Sequence, residues 1–180
     1  MPSSSPWRSD ARGAGKRPPQ VPPEPLAAPA SRLPAPCVYF KELRPFLPRE
    51  LSGFEVARDE GSTGKYGEVV VSEAERVFTR PGRSVAIRIV DTTLAGKLGT
   101  SIRAAADDGS RLDPRDPAAP ILRDGTVGYV RYDPSEEKAE ANLLVGGRYV
   151  VAVTSLGFEG TREVRRIAQD LDLDGLSTLR

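Results

Sequence analysis

Three acids at alternate positions, Asp170, Asp172 and Asp174, followed directly by Gly175, form the arrangement in this chain that most resembles a metal loop. Carboxylates spaced this way converge on a hard cation such as calcium, and glycine permits the sharp bend that follows. The bidentate acid that completes such a loop at its twelfth position would fall at residue 181, past Arg180. The expected reading is therefore a solvated helix end, with Leu171, Leu173, Leu176 and Leu179 anchoring the C-terminal segment to the core. Gly61-Ser62-Thr63-Gly64-Lys65 has the look of a phosphate loop, but that loop needs Gly where Asp59 stands and Ser or Thr where Tyr66 stands. It also needs a helix to follow, whereas a strand is expected here, so residues 59–64 read as a turn.

Cys37 is the single cysteine, and the chain contains no histidine. Disulfides within the chain, multi-cysteine metal sites, His-based triads and the usual near-neutral proton shuttle are thereby removed. Cys37 has only Lys41 and Arg44 as nearby cations, too little to hold a thiolate for nucleophilic work. Paired acids such as Glu73 with Glu75 and Glu136 with Glu137 fall on expected exposed surface. No constellation of residues asks for a cofactor, and the chain reads as a non-enzyme.

Charge and composition divide the chain in two. Residues 1–36 carry a net +3 and ten of the 17 prolines, against −2 for the remainder. Residues 1–37 read as a disordered Pro/Ala-rich basic tail with polyproline II character, and 38–180 as a single α+β domain. A charge of +3 is too small to imply nucleic-acid binding. Pro19 to Pro22 and Pro22 to Pro25 satisfy a P-x-x-P spacing, although any Pro-rich spacer contains it. Trp7 is a lone aromatic in this tail, read either as an anchor for a partner or as having no role. No apolar run spans a bilayer and no apolar leader follows Met1, so the chain as written is expected in the cytoplasm. A start further upstream would make it envelope-associated.

The elements that must position these residues follow from hydrophobic period. A short strand is expected over residues 54–58, a long one over 66–79 and another over 85–90. The polar middle of 66–79 also allows a helix over residues 72–78, and the strand is favoured because Arg80-Pro81-Gly82-Arg83 suits a type II turn. A helix over 93–106 would face the sheet with Leu94, Leu98, Ile102 and Ala105. Strands around 120–123 and 126–132 meet at Asp124-Gly125, and a second helix runs from Arg162 to Leu171 with Val164, Ile167, Ala168 and Leu171 inward. The strongest local signal is the hairpin at Gly146-Gly147, a pair suited to a two-residue type I′ loop. That loop would pair Val145 with Arg148 and Leu143 with Val150. In that register Tyr149, Val151 and Val153 face away from Leu143 and Val150, leaving an apolar strip for a partner unless the strand is buried on both faces. The whole is a mostly antiparallel sheet of about five to six strands with two helices on one face.

Several of these segments resemble an uncharacterised bacterial family of α+β accessory proteins, often exported or envelope-associated. They are Leu47-Pro48 with Leu51-Ser52-Gly53-Phe54, Ala74-Glu75-Arg76, Val85 to Asp91, Val145 to Val150, and Leu171-Asp172-Leu173 with Leu176. The resemblance spans roughly residues 47–179 and implies a β-rich accessory domain with no assigned activity. The absent leader and the Pro-rich tail depart from that family. The expected function is a binding or accessory domain that engages a protein partner through its sheet surface or its tail. An envelope domain holding an apolar ligand is the alternative, and an enzyme comes third.

Overall fold

In the computed structural model, which describes residues 37–107, 121–123 and 125–180, seven strands form one sheet in the order β1-β2-β3-β7-β6-β5-β4. The strands are β1 (Glu55–Tyr66), β2 (Val69–Arg80), β3 (Arg83–Thr92), β4 (Ile121–Arg123), β5 (Thr126–Asp133), β6 (Lys138–Val145) and β7 (Tyr149–Leu156). Every neighbouring pair is antiparallel. Two meanders, β1-β2-β3 and β4-β5-β6-β7, are thus joined along β3 and β7. The α+β class holds, with more strands than the five to six expected. The Pro-rich segment with Trp7, and most of the loop between the helix and β4, lie outside the described residues.

One face of the sheet carries the main core. Ala74, Phe78, Val85, Ile87, Ile89, Val130, Ala139, Ala141, Leu143 and Val145 alternate inward along their strands, as period-2 patterning requires. Over them pack a one-turn helix α1 (Phe40–Leu43), the 3₁₀ turn Arg44–Phe46, α3 (Arg162–Asp170) and α4 (Leu173–Thr178). Pro45 sits inside the 3₁₀ turn, and the helix over this stretch stays short because proline cannot donate to its ladder. Helix α3 begins at Arg162 as expected and ends one residue earlier, at Asp170, with Leu171 extended; it buries Val164, Ile167 and Ala168.

Helix α2 (Ala95–Asp107) lies against the opposite face, over β5, β6 and β7. The two main helices therefore flank the sheet from both sides, which corrects the expectation of a single covered face. The inward stripe of α2 differs as well: Ala95, Gly99 and Ile102 are buried, while Leu94 and Leu98 are exposed. Small residues draw the helix backbone close, and a Cβ at Gly99 would stand 2.8 Å from Leu144 Cδ2. Close approach through glycine outweighs the larger leucines, which turn to the rim.

The hairpin between β6 and β7 has the positive φ values foreseen at Gly146 and Gly147, 58° and 69°, and Arg148 N donates to Val145 O at 3.0 Å. The ladder nevertheless pairs Val145 with Tyr149, Leu143 with Val151 and Ala141 with Val153. Arg148 is an extra residue in the loop, so the register is displaced by one from the expected pairing. Because side chains alternate, that single step moves Tyr149, Val151 and Val153 onto the core face and puts Val150 and Ala152 on the other.

The two glycines of α2 separate helix propensity from packing. Gly96 has open space around its Cα, so Gly96→Ala is expected to raise unfolding stability by about 1 kcal/mol. Gly99→Val must displace Leu144, and a loss of about 1–3 kcal/mol is expected. Urea unfolding of both variants checks the placement of α2; equal effects would contradict it.

Candidate functional site

Two polar assemblies stand out. The first is built where β3, the β6–β7 loop and the chain entering the domain meet. Val85, Ile87 and Ile89 alternate inward along β3, and Asp91 is next in that series, only 2% exposed. An ionised carboxylate there needs partners, since burying it alone costs several kcal/mol. Arg148, pushed outward by its extra position in the loop, supplies them in bidentate form: Nη2 to Oδ2 at 2.6 Å and Nε to Oδ1 at 3.1 Å. Val38 N donates to the same Oδ2 at 2.8 Å. The Arg148 guanidinium also lies 5.0 Å from the centre of the Tyr149 ring. Its hydrogen bonds with Asp91 raise the Arg148 pKa further.

Beside it, the Cys37 thiol donates to Val70 O at 3.4 Å. Burial, followed by the charge of Asp91, pushes that thiol's pKa up, opposite to what a nucleophile requires. The Tyr149 hydroxyl, its pKa raised chiefly by burial, donates to Leu179 O at 2.8 Å and ties the C-terminal segment to the hairpin. Both oxygens of Asp91 accept from donors, Oδ1 from Arg148 and Oδ2 from Arg148 and Val38 N, so the carboxylate is committed to holding these segments together. The assembly is a clamp.

The second assembly lies on the face opposite the core, where β1, β2 and β3 have no helix above them among the described residues. Register puts Glu60 beside Glu75 and Glu75 beside Arg88, with Ser62 beside Glu73 in the next row. These residues, with Arg58 and Gly61, line a groove of about 420 Å³. Glu75 is its hub: Arg88 Nη2 lies 2.7 Å from Oε2, and Arg58 binds Oε1. Burial works to raise the Glu75 pKa, but the hydrogen bonds and charges of Arg88 and then Arg58 outweigh it and hold the carboxyl below its ordinary 4.5. Glu73 accepts from Ser62 Oγ at 3.5 Å. Half-buried Val77 and Val90 lie among the charges on the same face.

The residues singled out from sequence fare differently. Tyr149, Val151 and Val153 are in the core, so the expected apolar strip is interior, for the register reason given above. Trp7 falls outside the described residues. Asp170, Asp172 and Asp174 do not converge. Asp170 pairs with Arg166, the Asp172 side chain caps α4 by accepting from Gly175 N at 2.9 Å, and Asp174 is exposed. Among the described residues no group of three His, Cys, Asp or Glu is placed to hold a metal ion. The D-x-D-G pattern is a helix N-cap, which is equally what Asp followed by a short apolar helix encodes. Gly61 to Lys65 lies within β1 and not in a turn, paired with β2 along its length. Sequence reasoning missed Asp91, Arg148, Glu75, Arg58 and Arg88 as a set. The available signal was Asp91, an acid at a core-facing position of a clean alternation.

These features define an α+β domain with one half-covered antiparallel sheet. Among the described residues no helix is long and apolar enough to cross a membrane. Compared with protein-family models, curated proteins and solved structures, the chain matches none, and the resemblance over residues 47–179 carries no family assignment.

The Glu75 hub makes a pH prediction. A carboxyl held below its unfolded value stabilises the fold fully above that value, and the stabilisation is lost as pH falls through the folded one. Lowering the pH below about 4.5 is therefore expected to cost the wild type stability that Glu75→Gln does not lose. Urea midpoints at falling pH check this, and parallel curves would contradict it. At neutral pH, Asp91→Leu leaves Arg148 and Val38 N without their acceptor, and about 3 kcal/mol of stability is expected to go.

Proposed function

We propose that the protein is a non-enzymatic binding domain that engages a protein partner through the open face of β1, β2 and β3. The observation that carries this reading is the half-coverage of the face opposite the core: α2 lies over β5 to β7 there, and the described residues put no helix over β1 to β3 on that face. That face sets half-buried Val77 and Val90 among Arg58, Glu60, Glu73, Glu75 and Arg88. An apolar centre with a charged, arginine-containing rim is the usual make-up of a protein interface. The alternation of signs suits a partner surface with its own ordered charges, since complementary pairs set register and exclude wrong partners. The Pro-rich tail is the second route of recruitment that the sequence offers.

The reading is tested with the full chain. Glu60→Arg with Glu73→Arg reverses two charges on the face and leaves the pairs of Glu75 with Arg58 and Arg88 in place. Affinity capture from the native source, quantified by mass spectrometry, is expected to lose the partner by about tenfold or more, with Arg103→Glu on α2 as the unaffected control. A Trp7→Ala arm separates the tail. Loss of the partner in that arm, with full recovery by the face variant, would overturn the assignment to the sheet.

A further inference from the structure

The turn between β2 and β3 sits beside two phenylalanines, and its arginines behave unlike their neighbours. Of the arginines on β1, β2 and β3, Arg58, Arg76 and Arg88 each pair with a carboxylate. Arg80 and Arg83 have no ion pair among the described residues and lie against aromatic rings. Phe54, just before β1, and Phe158, just after β7, stack with centroids 6.3 Å apart and planes 20° from parallel. Arg80 Cζ lies 4.6 Å from the Phe54 centroid and 5.6 Å from that of Phe158. Arg83 Cζ lies 4.8 Å from the Phe158 centroid, and its Nε donates to Gly157 O at 3.1 Å.

A guanidinium stacked on a ring keeps its N–H donors directed outward from its edge and loses little freedom when they bind. Beside Arg80 is a groove of about 630 Å³ lined by Gly53, Phe54, Glu55, Thr79, Arg80 and Pro81. Gly53 has φ of 78°, and a Cβ there would meet only Arg80 Nη1, at 3.7 Å, so the wall next to the fork is open. We infer that this end of the sheet binds a carboxylate borne on an apolar body, the acid on the forks of Arg80 and Arg83 and the body against Phe54 and Pro81. Arg80 and Arg83 have the strand parity of Phe78 and Val85. The site is thus distinct from the open face of β1 to β3 and does not rest on it.

The test is NMR of the ¹⁵N-labelled full chain, following the arginine Nε–Hε signals. Three probes are titrated: N-acetyl-phenylalanine, its uncharged amide, and inorganic phosphate. The expected result is saturable movement of the Arg80 and Arg83 signals with N-acetyl-phenylalanine, at least about tenfold tighter than with the amide or phosphate. Arg80→Gln or Arg83→Gln is expected to weaken that binding by a similar factor, the dispersion of the amide spectrum reporting that the fold is kept. Equal binding of the amide would make the site merely apolar, and equal binding of phosphate would make it a general anion patch. Either result overturns the inference, as does unchanged binding in the exposed Arg83→Gln variant. The comparison of probes on the wild type needs no variant to fold.

Discussion

A carboxylate buried on the core side of a sheet must be neutralised where it stands, and the placement of Asp91 constrains much of this molecule. β3 is the strand that joins the two meanders, and Asp91 lies near its end, opposite Tyr149. Arg148, the additional residue of the β6–β7 loop, meets both carboxylate oxygens. The backbone of Val38 takes a further lone pair, which fixes where the chain enters the domain. Tyr149, next in sequence, reaches Leu179 and fixes where it leaves. One buried charge thus ties three distant segments, and the Cys37 thiol is held protonated in the same surroundings.

The same residue explains the main failure of the sequence reading. Gly146-Gly147 correctly indicates a hairpin with positive φ at both glycines, and every strand flanking it has its expected period. Period and turn chemistry leave the loop length ambiguous by one, since Arg148 fits equally well as a ladder residue or as an extra loop residue. The register observed goes with a contact to Asp91, 57 residues away in sequence, and with burial of Tyr149, Val151 and Val153. Local pattern carries no information about such a contact. The consequence is large because one step of register exchanges the faces of a strand, and Tyr149, Val151 and Val153 pass from a supposed binding surface into the core.

Other elements were legible in proportion to how locally they are determined. Strand β3, helix α3 and the Pro81-Gly82 turn follow from short-range period and from proline and glycine geometry, and they stand as expected. Strand β1 ran on through Gly61-Ser62-Thr63-Gly64 because β2 offers it a continuous ladder, a tertiary gain that overrides turn propensity. Gly61 has its own reason there: the ring of Phe40 on α1 occupies the space a side chain would need. Helix α4 was hidden because its cap, Asp172, belongs to a pattern that also opens calcium loops. The carboxyl–amide contact with Gly175 decides between them.

Strand β1 is also where the half-covered sheet is most exposed to wrong pairing, and its composition answers that hazard. An unpaired edge of this length invites another strand. β1 carries Arg58, Asp59, Glu60 and Lys65, and its ladder is broken by an irregularity between Val56 and Arg58. Arg44 reaches across to hydrogen-bond Asp59 O at 2.9 Å, occupying part of the backbone from the core side. Charges on the open face work in the same direction, because Glu75 is committed to Arg58 and Arg88 and stays ionised. An acid so paired is poorly suited to proton transfer, which needs a carboxyl poised near the working pH with an oxygen free. The charged residues of this half of the sheet are therefore paired with one another across three strands, which keeps the uncovered face ordered.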